Sequence, residues 1–267
     1  ALDRLDPTSY GNIGIGYKAG RNIDYRATSR NISIGQLAGD GAITGGKNAF
    51  LGNYAGRNMS TGEGGTACCN LILGNDAGLF IEGAHEIYEN VLLGSRAGYF
   101  GRGLGISTAF SKNVLIGNCA GRFIAGSCNI YIGPEAAANA FWCHCGVSNI
   151  GIGQSVQMPD RLGSNQLAIG QTSQYWITGD QSFNVGIGST IPQTKLDVGG
   201  ALNVSGLSTF GDNAQFRDLV RFGKPHCEED NVPGKFAVYN GNSLFPSAMV
   251  YTGGHLYIDP MTQVRFG

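Results

Sequence analysis

Two nonapeptides, NLILGNDAG at residues 70–78 and NVLLGSRAG at residues 90–98, decide the fold of this chain. Both follow one pattern: Asn, an apolar residue, a variable residue, a second apolar residue, Gly, two variable residues, Ala and Gly. Four more stretches fit this pattern in full, at residues 12–20, 31–39, 48–56 and 113–121. Looser copies begin at Asn129, Asn149, Asn165 and Asn184, and the copy at Asn165 carries one extra residue. Self-similarity of this kind is the signature of a repeat architecture.

The spacing of the copies predicts how they pack. Ten central glycines between Gly16 and Gly188 give a mean period of about 19 residues, at the short end of the range for solenoid repeats. A unit of this size cannot bury its own apolar residues, so the copies must stack, each strand hydrogen-bonding to the equivalent strand of the next copy. The pattern therefore predicts an all-β protein, with a parallel β-solenoid of about ten short rungs at about 4.8 Å each.

Each position of the unit has a physical reason. The two apolar residues lie two apart, so on a strand they face the same side, and we expect them to point inward. The central residue between them is expected to face outward. Glycine next in line lets the chain turn, and Ala three residues later indicates an inward site with room for one methyl group. Asn at the head tolerates left-handed backbone, and its amide is expected to hydrogen-bond to the same amide in neighbouring rungs.

These assignments name three sets of residues. The predicted inward apolar residues are Ile13, Ile15, Ile32, Ile34, Leu71, Leu73, Val114, Ile116, Ile130, Ile132, Ile150 and Ile152. The structural positions of the repeat are Asn12, Gly16, Ala19, Asn31, Gly35, Ala38, Gly52, Ala55, Gly74, Ala77, Gly94, Ala97, Gly117, Ala120 and Gly133. The predicted outward column is Phe50, Ile72, Leu92, Leu115 and Tyr131. A column so apolar cannot face water on a monomer, so we expect the solenoids to lie side by side in a homotrimer.

Composition argues against several other classes of protein. Charged residues make up 14% of the chain and the net charge is −1, which gives no electrostatic affinity for nucleic acid or for an anionic membrane. No apolar run approaches the ~20 residues that span a bilayer. Glycine is abundant at 44 residues but proline is only 8, which fits neither collagen nor a proline-rich disordered chain. We expect no nucleic-acid partner and no membrane insertion.

The repeat pattern ends near residue 190, and the sequence beyond it differs. Short strands are predicted at residues 195–198 and 201–207, and longer strands with glycine turns follow. The predicted organisation is an N-terminal lead-in at residues 1–11, a repetitive shaft at 12–190, a junction at 191–206 and a smaller β-rich module at 207–267.

The array, followed by NVGIGSTIPQTKLDVGGALNVSG at residues 184–206, resembles the shaft of bacteriophage tail-fibre and related virion fibre proteins. The stretches LSTF, LVRFG and HLYI, which start at residues 207, 219 and 255, are similar to strand modules of marine cyanophage fibres. The resemblance implies a rigid trimeric rod on the virion, outside the cell. Its implied partners are further copies of itself, other virion or tail proteins, and a host glycan or protein receptor.

Two alternative functions stay open. The array is also similar in style to the head repeats of trimeric autotransporter adhesins, which would make the chain a bacterial surface adhesin. A polysaccharide-degrading tailspike would need a pair of carboxylates in a groove, but acidic residues are sparse and the four histidines show no Ser/His/Asp spacing. We therefore expect no enzymatic activity and no cofactor.

Two groups of side chains are the candidates for binding. The string Cys143, His144 and Cys145 is the most metal-like, but zinc sites usually use two cysteines separated by two to four residues, and on a strand His144 would face away from both thiols. The longest spacers between repeats carry aromatic residues that could stack on sugar rings, although these spacers could equally only pad the shaft. The candidate receptor-contact residues are Phe80, Tyr88, Tyr99, Phe100 and Phe110.

Overall fold

The structure is a computed structural model that describes residues 10–21, 23–24, 30–41, 43–100, 109–138, 146–172, 174–206 and 208–209. Sixteen strands and no helix lie in this part of the chain. They are β1 (Ile13–Ile15), β2 (Ile23–Asp24), β3 (Ile32–Ile34), β4 (Ile43–Thr44), β5 (Ala49–Leu51), β6 (Ser60–Cys68), β7 (Leu71–Leu73), β8 (Glu82–Tyr88), β9 (Val91–Leu93), β10 (Val114–Ile116), β11 (Ile130–Ile132), β12 (Ile150–Ile152), β13 (Leu167–Gln171), β14 (Gln174–Gly179), β15 (Val185–Ile187) and β16 (Leu196–Val198).

The repeats stack as the spacing predicts. Strands β1, β3, β5, β7, β9, β10, β11, β12 and β13 form one parallel ladder, in that order. Equivalent positions lie opposite each other, as where Leu71, Ile72 and Leu73 pair with Val91, Leu92 and Leu93. The described chain is thus all-β, and its repeats form a parallel β-solenoid of about six turns. The six copies with the full pattern supply the first six strands of the ladder, and the looser copies near Asn129, Asn149 and Asn165 supply its last three.

The core of the solenoid lies between this ladder and a second wall. Strands β2 and β4 pair in parallel, and so do β6 and β8. Ala67 on β6 and Ile87 on β8 are buried and belong to the same hydrophobic core as Ile72 and Leu92 of the ladder. The alanines of the repeat are buried between the walls, and Ala38, Ala55, Ala77, Ala97, Ala120 and Ala136 all have no exposed surface. The prediction for the alanine position is confirmed.

The direction of the ladder side chains is the reverse of the prediction. The central residues are buried: Phe50, Ile72, Leu92 and Leu115 are 0% exposed and Tyr131 is 1% exposed. The flanking residues do share one face and align in columns, but that face is outward. The predicted inward residues Ile13, Ile15, Ile32, Ile34, Leu71, Leu73, Ile132, Ile150 and Ile152 are 36–59% exposed, and Val114, Ile116 and Ile130 are half-buried.

The physical reason for this error is that both faces of each strand are apolar. Alternation places the flanking pair on one side and the central residue on the other, but it does not say which side meets the second wall. The chain turns at the central glycine toward the side of the central residue, which brings the alanine and the second wall over it. Burial of the flanking residues was therefore a wrong prediction.

The central glycine is required by a close approach between rungs. Gly52 has φ +131°, and a Cβ there would lie 2.6 Å from the carbonyl oxygen of Gly74 in the next rung. Backbone with this φ is essentially restricted to glycine. The equivalent glycines of the first eight ladder strands, from Gly16 to Gly153, have φ between +126° and +140°, so the prediction of a glycine corner is confirmed for these rungs. Gly170 on the ninth strand, β13, has no positive φ.

A ladder of buried asparagines runs along the start of the strands. The Asn90 Oδ1 accepts hydrogen bonds from the backbone N and the Nδ2 of Asn113, at 3.0 and 3.1 Å. The Asn90 Nδ2 donates to the Asn70 Oδ1 at 2.9 Å and to the Phe110 carbonyl at 2.8 Å. The predicted amide ladder is confirmed. The prediction of left-handed backbone at Asn is wrong, because the preceding residue adopts it, as Glu89 does with φ +57°.

The ninth copy begins one residue later than the sequence suggested. The backbone N of Gln166 donates to the Asn149 Oδ1 at 2.9 Å, so Gln166 takes the asparagine position. Asn165, with φ +57°, is the left-handed residue before it. The copy therefore has no extra residue, and a longer amide serves where Asn was expected.

The parallel ladder ends after β13. Strand β14 pairs antiparallel with β13 and with β15, and β16 pairs in parallel with β15. The tenth copy, on β15, is thus separated from the ninth by a reversed strand. The short strand predicted at residues 195–198 is present as β16, whereas residues 201–206 form no strand. The chain divides into compact units at residues 1–203 and 204–267, and the strands predicted beyond residue 209 lie outside the described residues.

Candidate functional site

The most distinctive surface of the solenoid is the outward side of the ladder, which we call the outer face. It consists of the first and third residues of the three-residue strands, and the corresponding Leu167 and Ile169 of β13. All eighteen are aliphatic: Ile13, Ile15, Ile32, Ile34, Ala49, Leu51, Leu71, Leu73, Val91, Leu93, Val114, Ile116, Ile130, Ile132, Ile150, Ile152, Leu167 and Ile169. Nine strands at about 4.8 Å make this face about 38 Å long, and its two columns lie about 6.6 Å apart.

The two rims of the outer face are polar. On one side lie the residues after the central glycine, of which Gln36, Asn53 and Asn75 are exposed. The Asn53 Oδ1 accepts from the backbone N of Gln36 at 3.0 Å, and the Asn75 Oδ1 accepts from that of Asn53 at 3.3 Å. On the other side lie the exposed left-handed residues before each asparagine, including Lys47, Cys69, Glu89, Lys112 and Cys128. One rim is thus uncharged and the other mixes both signs of charge.

A bulge in β14 extends the outer face past its ninth strand. Ile177 pairs with Ile169 and Tyr175 with Gly170, so Trp176 has no partner in the register. Tyr175 packs against the core, which leaves Trp176 beside Ile177 on the outer side. The Trp176 side chain is 69% exposed. A bulge of this kind was not predicted, because no local sequence signal distinguishes it from a regular strand.

The five candidate receptor-contact residues do not share one environment. Phe100 and Phe110 are 3% and 0% exposed and belong to the core, so their rings do not reach the surface. Tyr88 and Tyr99 are half-buried, and Phe80 is half-buried against the core.

Phe80 and Tyr99 belong to an aromatic cluster on the flank of the solenoid. The ring centroids of Phe80 and Tyr99 are 6.4 Å apart, and those of Tyr99 and Phe123 are 6.0 Å apart, both in edge-to-face arrangement. Sequence reasoning missed Phe123, although it follows the second glycine of its repeat at the same offset as Phe80 and Phe100. These edge-to-face contacts between rings of different rungs stabilise the packing of the rungs.

The metal candidates Cys143, His144 and Cys145 lie outside the described residues. Within the residues that the structure does describe, no group of three or more His, Cys, Asp or Glu side chains is arranged to hold a metal ion. Cys68, Cys69, Cys119 and Cys128 are free thiols. Burial, with a hydrogen bond to Cys69 as a smaller contribution, raises the pKa of the Cys68 thiol, which disfavours the reactive thiolate.

A buried ion pair joins three successive rungs behind the turns. Asp40 is 3% exposed and its two carboxylate oxygens accept hydrogen bonds from the Arg21 Nε at 2.9 Å and the Arg21 Nη2 at 3.1 Å. The Arg57 Nε lies 3.8 Å from Asp40 on the other side. These charges link neighbouring rungs, which is a structural role.

A cavity of about 260 Å³ lies where the solenoid meets the reversed strands, and Asp160 and Asp180 line it. The Asp160 Oδ1 accepts from the backbone N of Leu162 and the Asp180 Oδ1 from that of Asn184, both at 3.0 Å. The backbone hydrogen bond from Asn184 is the main cause that lowers the pKa of Asp180. Both carboxylates thus stabilise the turns of their own loops.

The functional interpretation depends on this geometry alone. No described helix is long and apolar enough to span a bilayer. Comparison of the chain with protein-family models, with curated proteins and with solved structures finds no match.

Proposed function

We propose that this chain is a structural and adhesive virion fibre protein, whose shaft at residues 12–190 forms a rigid rod of three identical chains. The observation that supports this most is the uninterrupted parallel ladder of nine strands, with hydrogen-bonded amides and close-packed glycines in register along it. Such a ladder resists bending and has no conformational change built into it, which suits a protein that holds and displays.

The proposed trimer needs a different surface from the one that the sequence suggested. The column Phe50, Ile72, Leu92, Leu115 and Tyr131 is covered inside each chain and cannot be the contact between chains. The requirement for a partner nevertheless remains, because the chain leaves another apolar surface, the outer face, in contact with water.

The proposed rod supports host attachment through its surface features. The half-buried rings of Phe80, Tyr88 and Tyr99 are the candidate receptor contacts that stay accessible, and the ligand would be a host glycan or protein. Other virion proteins would hold the ends of the rod. We propose no catalytic step and no cofactor for this chain, and the virion is its proposed location.

Electron microscopy with gold-labelled antibody raised against the full chain tests this proposal. Label along fibres of virus particles from lysates of the source organism would support it. Label confined to a bacterial envelope would contradict it and favour the surface adhesin. Release of oligosaccharide from host capsule by the purified chain would instead favour the tailspike.

A further inference from the structure

We infer that the outer face is the surface through which three copies of this chain pack around a common axis, so that a second hydrophobic core lies between chains. The inference builds on the proposed function, because it takes the trimeric shaft as the assembly. It assigns the contact to the flanking residues of the strands and places the central residues in the separate core of each chain.

The composition of the outer face is the first step. The central residues vary from Gly14 and Gly151 to Phe50 and Tyr131, because each rung fills its own interior differently. The flanking residues stay aliphatic on all nine strands, including the strands whose central residue is glycine. The aliphatic character of the flanking positions is thus independent of the residue that fills the interior. Contact with water does not favour Ile, Leu or Val, so we attribute this character to contact with another chain.

The extent of the outer face is the second step. Its aliphatic part, about 38 Å by about 10 Å, amounts to about 400 Å² in projection, comparable with the largest apolar patches of soluble monomers, which are often functional. With both rims the strip is about 20 Å wide and covers about 750 Å². A standard protein interface buries about 1,600 Å² in total, about 800 Å² from each partner. In a trimer each chain divides its strip between two neighbours, so each contact takes about 375 Å² from each chain and the three contacts together bury about 2,250 Å². The outer face therefore has the total size, the apolar centre and the polar rims of a permanent trimer contact.

The identity of the occupant is the third step. A surface with a repeat of about 4.8 Å is best matched by another surface with the same repeat, and a parallel copy of this chain supplies it at every rung. In a cyclic trimer the first-residue column of one chain meets the third-residue column of the next. The charged rim then meets the uncharged rim, so Lys47 and Lys112 never face their own copies.

Charge introduced on the outer face tests the inference. The variants are Leu73→Lys and Ile152→Lys, at positions 45% and 37% exposed, in separate full-length proteins. The matched control is Thr66→Lys, an exposed position on β6 that lies opposite Glu86 on the second wall. Light scattering on a sizing column gives the mass, and circular dichroism gives the β content.

The expected mass of the wild type is three times 28.0 kDa, about 84 kDa. At the same protein concentration, both outer-face variants should have the mass of one chain and an unchanged β content. This loss of the trimer corresponds to a rise of at least about 100-fold in its dissociation constant. The control Thr66→Lys should stay trimeric. If the lysine variants lose β content, the double variant Leu71→Thr and Leu73→Thr takes their place, because threonine keeps strand propensity and removes the apolar contact.

The outcomes separate the inference from the proposed function. Trimeric outer-face variants would overturn the inference and leave a trimeric fibre standing. A wild type with the mass of one chain would overturn both the trimer and the inference. Dissociation of the Thr66→Lys control to the same degree would place the contact on the second wall and would also overturn the inference.

Discussion

Replacing Gly52 by alanine tests the packing of the rungs most sharply. The φ of +131° at Gly52 costs a residue with a Cβ about 1–3 kcal/mol. The new methyl group would also lie 2.6 Å from the carbonyl oxygen of Gly74, so the two rungs must move apart. That movement weakens the hydrogen bonds between these two rungs, including those from the Gly74 N to the Leu51 oxygen at 2.8 Å and from the Asp76 N to the Asn53 oxygen at 3.0 Å, at about 1 kcal/mol each.

Together these effects predict that Gly52→Ala lowers the free energy of unfolding by about 3–5 kcal/mol. The matched control is Gly200→Ala, since Gly200 has no atom within 4 Å of a Cβ and no positive φ; this variant should stay within about 0.5 kcal/mol of the wild type. Urea unfolding followed by circular dichroism measures both. Equal stabilities of the two variants would refute the close-packed glycine column.

Further substitutions test the asparagine ladder, the alanine site, the buried ion pair and the buried tyrosine. Asn90→Ala removes a buried side-chain amide together with its hydrogen bonds to the rungs on both sides, and should lower the free energy of unfolding in urea by about 2–4 kcal/mol. Asn75→Ala on the exposed rim should lower it by under about 1 kcal/mol. Ala77→Leu should overpack its rung and cost about 1–3 kcal/mol; an unchanged midpoint would mean that the site has spare room. Asp40→Ala should cost about 2–3 kcal/mol, less than a fully buried pair because both arginines remain partly exposed; retention of full stability would show that the ion pair contributes nothing. Burial raises the pKa of Tyr131, so folding favours the neutral phenol. The stability that Tyr131 contributes is therefore fully present below the pKa of tyrosine in the unfolded chain, about 10, and should be lost as the pH rises above that value. Tyr131→Phe should flatten this alkaline loss, and an unchanged pH profile would exclude Tyr131 as its cause.

Much of the fold could be predicted because the repeat fixes the backbone. Glycine at a corner, alanine in a narrow interior and asparagine in an amide ladder each meet a geometric need that few other residues meet. Gln166 shows the limit of pattern matching, because a residue with the same amide chemistry took the asparagine position and shifted the apparent start of the copy.

The facing of the strands could not be predicted from alternation. Ile72 lies between Leu71 and Leu73, and all three are large and apolar, so the strand itself does not indicate its buried side. Only the path of the chain after the glycine decides it. The constancy of the flanking pair next to Gly14 and Gly151 is the signal that pointed to a contact outside the single chain.

The candidate site was predicted only in part, because aromatic residues in long spacers serve two purposes. Phe100 and Phe110 pack into the core, while Phe80, Tyr88 and Tyr99 stay partly accessible. Burial of a spacer residue depends on how the spacer folds over neighbouring rungs, which local sequence does not determine.

A cryo-electron microscopy map of the purified full-length assembly tests the central claim most directly. The account predicts three parallel solenoids, with Leu71, Leu73, Ile150 and Ile152 turned toward the common axis and Ile72 inside each chain. A map with one solenoid, or with those four side chains turned to solvent in the assembly, would contradict it.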